Sequence, residues 1–476
     1  MLNISDIVSQ MRAVAGRFLP AGTAKVQKSF KNMFIDVLIL FIVMDRVNFT
    51  QLGVYGRRSE KTYRKHFEDG MEDTVSFNLA LAKEYFAGSV GVKAIAIDPS
   101  YISKSGKKTP GVGYFWSGAA GYAKWGLEIL GVGIIDSRRH ECVMLGAMQS
   151  PNTAALSTDM VRTDMRTPKF VVGREAVSDW DDIKGEIPED VLTNAGKRPY
   201  HHAADVEEFS KQVREVKDDD KQFNLIQWYL HVIGCIPKEV KDYTSTIVAD
   251  AFFSKHNFVD GLDKIGYKLV SRLRDDAVLM YIHNGLRDPK RRGAPKKFDG
   301  KVDINNLDTK VIFRIDNPFD DEGEVFTGTV YSKALKRKIK IVVWFSKDRK
   351  THKIYFSNDL TFSGGDILRI YRTRFQEEFE FRQAKGFASL ETCQARSYKK
   401  LMTHFNMSFT AVNCLKFAAR SLGIPFSISN LKTLARGQYL MERFICVSGI
   451  SPDSEIIKKL HNEVVALTTL SLKEAS

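Results

Sequence analysis

Residues 366–386 run Asp366-Ile-Leu-Arg-Ile-Tyr371-Arg-Thr-Arg374-Phe-Gln-Glu377-Glu378-Phe-Glu380-Phe-Arg382-Gln-Ala-Lys385-Gly386. The stretch predicts one long helix. At 100° per residue with Tyr371 at zero, Arg374 falls at about −60°, Glu378 at about −20°, Arg382 at about +20° and Lys385 at about −40°. One phenol, one carboxylate and three cations thus share a stripe about 80° wide and about 21 Å long. Two readings are open. A salt-bridged surface helix would pair Arg374 with Glu378 at i,i+4. A helix that grips a nucleic-acid strand would use the same cations on phosphates about 3.4 Å apart.

Upstream, two apolar strands each run into an aspartate. Val92-Lys-Ala-Ile-Ala-Ile97 predicts a strand ending at Asp98-Pro99, and Thr246-Ile-Val-Ala249 one ending at Asp250. A single Asp in such a place is usually a turn former or a helix cap. Two in equivalent places carry more, because open α/β sheets gather their site residues at strand ends. Between them, Leu127–Ile135 and Cys142–Ala147 are apolar runs joined by polar Asp136–Glu141, which predicts an antiparallel hairpin. Residues 222–233 predict a helix and Tyr267–Arg272 a strand, 276–360 is strand-rich with basic turns, and the tail after 395 is helical. Residues 1–88 are helical as well. Within them Gly53–His66 is a Gly-containing turn followed by a short basic helix with Ser59 at its cap. That pattern is compatible with a helix-turn-helix, and equally with a plain basic surface helix.

The charge balance points to the partner. Lys and Arg number 71 against 57 Asp and Glu among 476 residues, a net charge of +14, which favours a polyanion. The longest apolar run, Met33–Met44, is broken by Asp36 and falls short of the roughly 20 residues a spanning helix needs. The N-terminal residues hold no long apolar segment of the secretory kind. Five scattered cysteines without a CxxC pair argue against a disulfide scaffold and a cysteine zinc site, and fit a reducing cytoplasm. Residues 175–220 hold 14 acidic and 6 basic side chains, a net of −8, so the rest of the chain carries +22. This acidic insertion is either a solvated spacer or a flap that mimics DNA over a basic cleft. Basic clusters at Arg287–Lys297, Lys333–Lys340 and Lys347–Lys353 are expected to meet phosphate. His201-His202 reads as an exposed pair rather than a metal site.

The spacing Y-x2-R-x3-E-x6-K, met at Tyr371, Arg374, Glu378 and Lys385, resembles the signature of bacterial insertion-sequence transposases of the DDE class, most closely the insertion sequence four family. Asp98 in Ile95-Ala-Ile-Asp-Pro-Ser and Asp250 in Ile247-Val-Ala-Asp-Ala-Phe-Phe are similar to that family's first and second acids. The resemblance implies an α/β fold with an RNase-H-like catalytic core, 89–275 and 361–395, interrupted by a β-strand insertion at 276–360. It implies a helical domain at 1–88 that binds the element's ends and a helical region at 396–476 that pairs protomers. It also implies that Asp98, Asp250 and Glu378 hold two Mg2+ ions, for which Mn2+ substitutes, with Asp98 bridging them. Tyr371, Arg374 and Lys385 would hold phosphates, joined by Arg382 on the same stripe. Trp344 is the candidate for stacking a flipped base, against its reading as a core tryptophan. The partners implied are double-stranded DNA, at the terminal inverted repeats and the target, and a second copy of the chain. The activity implied is cut-and-paste transposition through a DNA hairpin, in the bacterial cytoplasm. Two rivals remain open: an RNase-H-like nuclease or resolvase that cuts without joining, and a transposase-derived protein that binds DNA without cutting it.

Overall fold

A computed structural model of the chain describes residues 7–19, 25–70, 74–106, 108–151, 225–283, 285, 296–319 and 322–449, with a few positions between 455 and 463. The acidic insertion 175–220, His201-His202 and most of the Arg287–Lys297 cluster lie outside the described residues.

Five helices come first: α1 (Ile7–Phe18), α2 (Lys25–Val43), α3 (Phe49–Tyr55), α4 (Glu60–Asp69) and α5 (Thr74–Tyr85). The α3–α4 pair is the turn and basic helix foreseen at 53–66, and the Ser59 side chain accepts the Thr62 N–H as its cap. Gly56 is obligatory there, since a Cβ at that position would run into the Tyr63 hydroxyl, itself bonded to buried Asp36.

β1 (Lys93–Ser103), β2 (Gly113–Ser117), β3 (Tyr122–Asp136) and β4 (Glu141–Gln149) follow. The β3–β4 hairpin forms as its apolar runs predict, and the Asp136 carboxylate closes the turn by accepting the N–H groups of Arg138 and Arg139 at 2.9 and 3.0 Å. After α6 (Leu225–Gly234) and α7 (Lys238–Tyr243) come β5 (Thr246–Val248), α8 (His256–Lys264) and β6 (Lys268–Arg272). β1 pairs antiparallel with β3 and parallel with β5, and β5 pairs parallel with β6. The resulting order, β4-β3-β1-β5-β6, is the RNase-H-like core.

The inserted strands are β7 (Leu279–Ile282), β8 (Phe298–Lys301), β9 (Ile312–Ile315), β10 (Glu324–Ser332), β11 (Arg337–Phe345) and β12 (His352–Ser357). In β11 the alternate residues Ile339, Ile341, Val343 and Phe345 are buried, as a two-residue period requires. The insertion is no separate sheet. β12 pairs with β6, so all 12 described strands are continuous.

The chain then returns to the core through α9 (Gly364–Thr373) and α10 (Phe375–Phe387), and ends in α11 (Tyr398–Ser421) and α12 (Ile428–Ser448). α10 lies over β1, β3 and β4, and α11 packs between β4 on one side and α1 and α2 on the other. Edge strand β4 is covered by asparagines of α11: Asn413 donates to Met144 O at 2.7 Å, and Asn406 accepts from Ala147 N at 2.7 Å. Among the described residues no helix is long and apolar enough to cross a membrane.

Two expectations need correcting. Asp98 does not end its strand: β1 continues through Pro99 to Ser103, paired with β3 throughout. Pro99 is tolerated because the β1–β5 ladder extends only to Ala96, leaving that side of the strand open where an N–H would be missing. The long helix over 366–386 is two helices. Thr373 Oγ1 bonds back to Arg369 O, the Arg374 N–H is shared between Ile370 O and Tyr371 O, and Glu377 N reaches only to Arg374 O. These contacts tighten the turn and break the α-helical ladder at Arg374.

Candidate active site

Register brings the first two acids together. Ala96 of β1 stands opposite Val248 of β5 in a parallel pair, so Asp98, within β1, and Asp250, just past the end of β5, each two residues further on, lie at the same level. Neighbouring strands lie about 4.8 Å apart. The break at Arg374 supplies the third acid. Glu377 and Glu378 occupy the first turn of α10, where the helix dipole favours carboxylates.

Arg374 holds the cluster together. Its Nη2 donates to Glu378 Oε1 at 2.8 Å, and its Nη1 lies 3.5 Å from Asp98 Oδ1. The guanidinium is only 11% exposed, yet Nε and Nη1 make no hydrogen bond. Two buried donors are thus left for a ligand. The Tyr371 ring lies beneath the guanidinium at 5.8 Å and packs on Tyr355 at 4.8 Å. Asp250 caps the following turn by accepting the Phe252 N–H at 3.0 Å, and its backbone oxygen accepts from Ser271 Oγ at 2.8 Å.

The electrostatics are those of crowded carboxylates. Burial, then the charges of Glu378, Asp250 and Glu128, push the Asp98 carboxyl up to about 7 against the opposing pull of Arg374. Burial raises Asp250 as well, again opposed by Arg374. Arg374 keeps its charge: burial works against it, and Asp98 and Glu378 outweigh burial. A carboxyl that binds its proton more tightly in the folded chain than in the unfolded one stabilises fully below its unfolded value. That contribution is lost as the pH rises through the folded value. In chelator, wild type should therefore lose stability relative to Asp98→Asn between about pH 4 and about pH 7. Melting curves of the two proteins across that range test this, and parallel curves would remove the shift.

Three groups escaped the sequence reading. Arg272, at the end of β6, stands opposite Tyr355 in the β12 ladder and adds its charge beside Tyr371. Glu128 on β3 is buried, accepts from the Tyr229 hydroxyl at 2.7 Å, and raises Asp98. Glu377 is fully buried and neither of its oxygens has a hydrogen-bond partner; burial first, then Asp98, hold it well above the usual carboxylate range. For Glu377 and Glu128 the signal was faint, since an acid among polar neighbours in a helix or strand looks like a solvated face. Arg272 could have been found as the cation closing the apolar strand Tyr267–Arg272.

The remaining predicted residues lie further out. Lys385 Nζ donates to Tyr101 O at 2.6 Å and pairs with Glu391 at 3.3 Å, three residues along β1 from Asp98. Arg382 is exposed, with its guanidinium 5.1 Å from the Phe379 ring centroid. Trp344 is half-buried on β11, between the cations of Arg372 and Lys353, each 5.9 Å from its ring. The basic turns are partly neutralised. Arg337 pairs with Asp260 and Asp263, Lys347 with Glu322 at 2.8 Å, and Arg349 with Glu324.

The donor set suits a hard divalent cation, since all three acids offer carboxylate oxygen and Asp98 lacks enough positive charge to ionise fully. Among the described residues no three such side chains yet close around a point. The guanidinium of Arg374 stands between Asp98 and Glu378, where it supplies the counter-charge.

Two family models match the chain. One, described as DDE superfamily endonuclease, matches residues 54–306 and so includes Asp98 and Asp250. The other, described as transposase DDE domain, matches residues 226–414 and includes Asp250 and Glu378. No curated protein matches.

Proposed function

The chain belongs to the DDE superfamily of endonucleases, in its transposase class, and we propose that it moves a DNA segment by cut-and-paste transposition, with Asp98, Asp250 and Glu378 as its acids. What supports this reading is that Asp98 and Asp250, on parallel strands in register, and Glu378, on α10, all lie near one buried arginine whose Nε and Nη1 make no hydrogen bond.

Asp98, Asp250 and Glu378 would hold two divalent ions, Mg2+ or Mn2+, which when bound help ionise a water and stabilise the departing 3′ oxygen. Arg374 offers Nε and Nη1 to the scissile phosphate, in the forked geometry that suits two phosphate oxygens. Tyr371 supports that guanidinium from below, and Arg272 adds a second positive charge. Lys385 and Arg382 continue along α10 to phosphates further from the cut, and Trp344 is the proposed stacking residue for a flipped base.

Each step is an in-line exchange at phosphorus. Water opens one strand at the element end and releases a 3′-OH. That hydroxyl attacks the opposite strand, and a hairpin closes as the flanking DNA leaves. A second water opens the hairpin, and the 3′-OH then attacks target DNA. In every step one P–O bond forms as another breaks, and the attacking oxygen gives up its proton, so no bond to the protein is needed. The helices of 1–88 would read the terminal repeats, and those of 396–476 would pair two protomers on the DNA.

The test is a labelled DNA end, taken from inverted repeats flanking the gene, incubated with the protein and Mg2+. A nick with a 3′-OH, then a hairpin, then a joined product is expected. Cleaved ends with no hairpin and no joining would leave a nuclease that does not transpose. Unchanged duplex would leave a DNA-binding protein.

A further inference from the structure

The turn after Asp250 carries a feature that the chemistry above leaves unused. The 3-10 turn Ala251–Phe253 is capped by the Asp250 side chain. Phe253 points inward, 5.4 Å from the Tyr229 ring and 4.9 Å from Phe258. Phe252 faces outward and is 44% exposed. The Lys255 ammonium stands 3.6 Å from the centre of the Phe252 ring, and among the described residues it joins no ion pair. Ser254, between them, is tied to the end of β6 by its bond to Arg272 O at 2.7 Å, so the ring and the ammonium are carried on an anchored turn.

We propose that Phe252 and Lys255 form a subsite for an unpaired nucleotide beside the scissile phosphate, with the ring stacking on the base and the ammonium meeting the adjoining phosphate. An exposed aromatic ring beside an exposed cation matches the two chemistries of single-stranded nucleic acid, a π-face and a regularly charged backbone. The lysine stem is flexible enough for the ammonium to exchange the ring for a phosphate as a base arrives. Two residues of backbone span at most about 7 Å, and phosphates follow one another every 3.4 Å or so. The ring therefore reaches only nucleotides close to whatever phosphate Asp250 serves. A base inside a duplex has both faces covered by its neighbours, so the occupant is a nucleotide that has left the stack.

This inference rests on Asp250 belonging to the cleavage site, and the experiment separates the two. The probes are a short oligothymidylate with one 2-aminopurine and the same strand with an abasic site in its place. Wild type should quench the 2-aminopurine and bind its strand roughly tenfold or more tighter than the abasic one, the size of one base–aromatic stack. Phe252→Leu keeps apolar bulk at a surface position and should lose both the quenching and the preference. Phe252→Trp should keep them. Lys255→Met should weaken both probes alike and reduce the salt dependence by about one phosphate. Asp250→Asn keeps an acceptor for the turn and should retain the preference while losing metal-dependent plasmid nicking. Phe252→Leu behaving as wild type in quenching and preference would overturn the subsite alone. Asp250→Asn nicking as wild type would overturn the cleavage-site assignment, and with it the subsite's place beside the cut.

Discussion

Asp98→Ala, Asp250→Ala and Glu378→Ala are each expected to lower cleavage of a DNA end by about 10³-fold or more, because groups that act as one unit fail together. Any two combined should cost little beyond one alone. Unfolding will not explain the loss. Asp98 sits where burial and like charge already make its ionised form unfavourable, so the metal-free Asp98→Ala protein should melt at or above the wild-type temperature. A second readout is the rise in melting temperature on adding Mn2+, which should shrink in all three variants. A variant that cleaves at the wild-type rate would take its residue out of the site. If that variant were Glu378→Ala, buried Glu377 next to it would be the acid to examine.

The outline of the site could be read before any geometry, because its parts are local. The apolar runs before Asp98 and Asp250 mark buried strands, and the 3–4–7 spacing of Tyr371, Arg374, Glu378 and Lys385 marks one side of a helix. What stayed hidden depends on pairing partners far away in sequence. Pro99 looked like the end of β1, and only the shortness of β5 shows why the strand passes through it. The break at Arg374 arises from a threonine that bonds backward, which propensity along a helix does not reveal. As a result Arg374 and Glu378 stand at a helix junction with Arg374 beside Asp98, and the Lys385 ammonium donates to Tyr101 O. The basic turns taught the same lesson in reverse. Lys347 and Arg349 looked free because Glu322 and Glu324, their partners across the sheet, are more than 20 residues away.

Lys416→Met is expected to cost about 3–5 kcal/mol of folding stability, the usual result of leaving one member of a buried ion pair without its partner. Lys416 on α11 and Glu380 on α10 are 9% and 3% exposed and bonded to each other, and the Lys416 ammonium also donates to Cys142 O on β4 at 2.9 Å. Burial opposes the charge on Lys416 and Glu380 sustains it; burial likewise raises Glu380, and Lys416 holds it down. Neither group is at ease alone. The double variant Lys416→Met with Glu380→Leu should therefore recover most of the loss, since an apolar pair of similar volume removes both desolvated charges at once. The denaturant midpoints of the two single variants and the double variant test this directly. Additive losses would mean that the pair is not coupled. Glu380 is two residues from Glu378 on the same helix, so this bond also fixes how α10 presents its acid to Asp98. A stable double variant that cleaves slowly would show that the ion pair is kept for alignment, and one that cleaves normally would show that packing of α10 on β1, β3 and β4 sets that alignment without it.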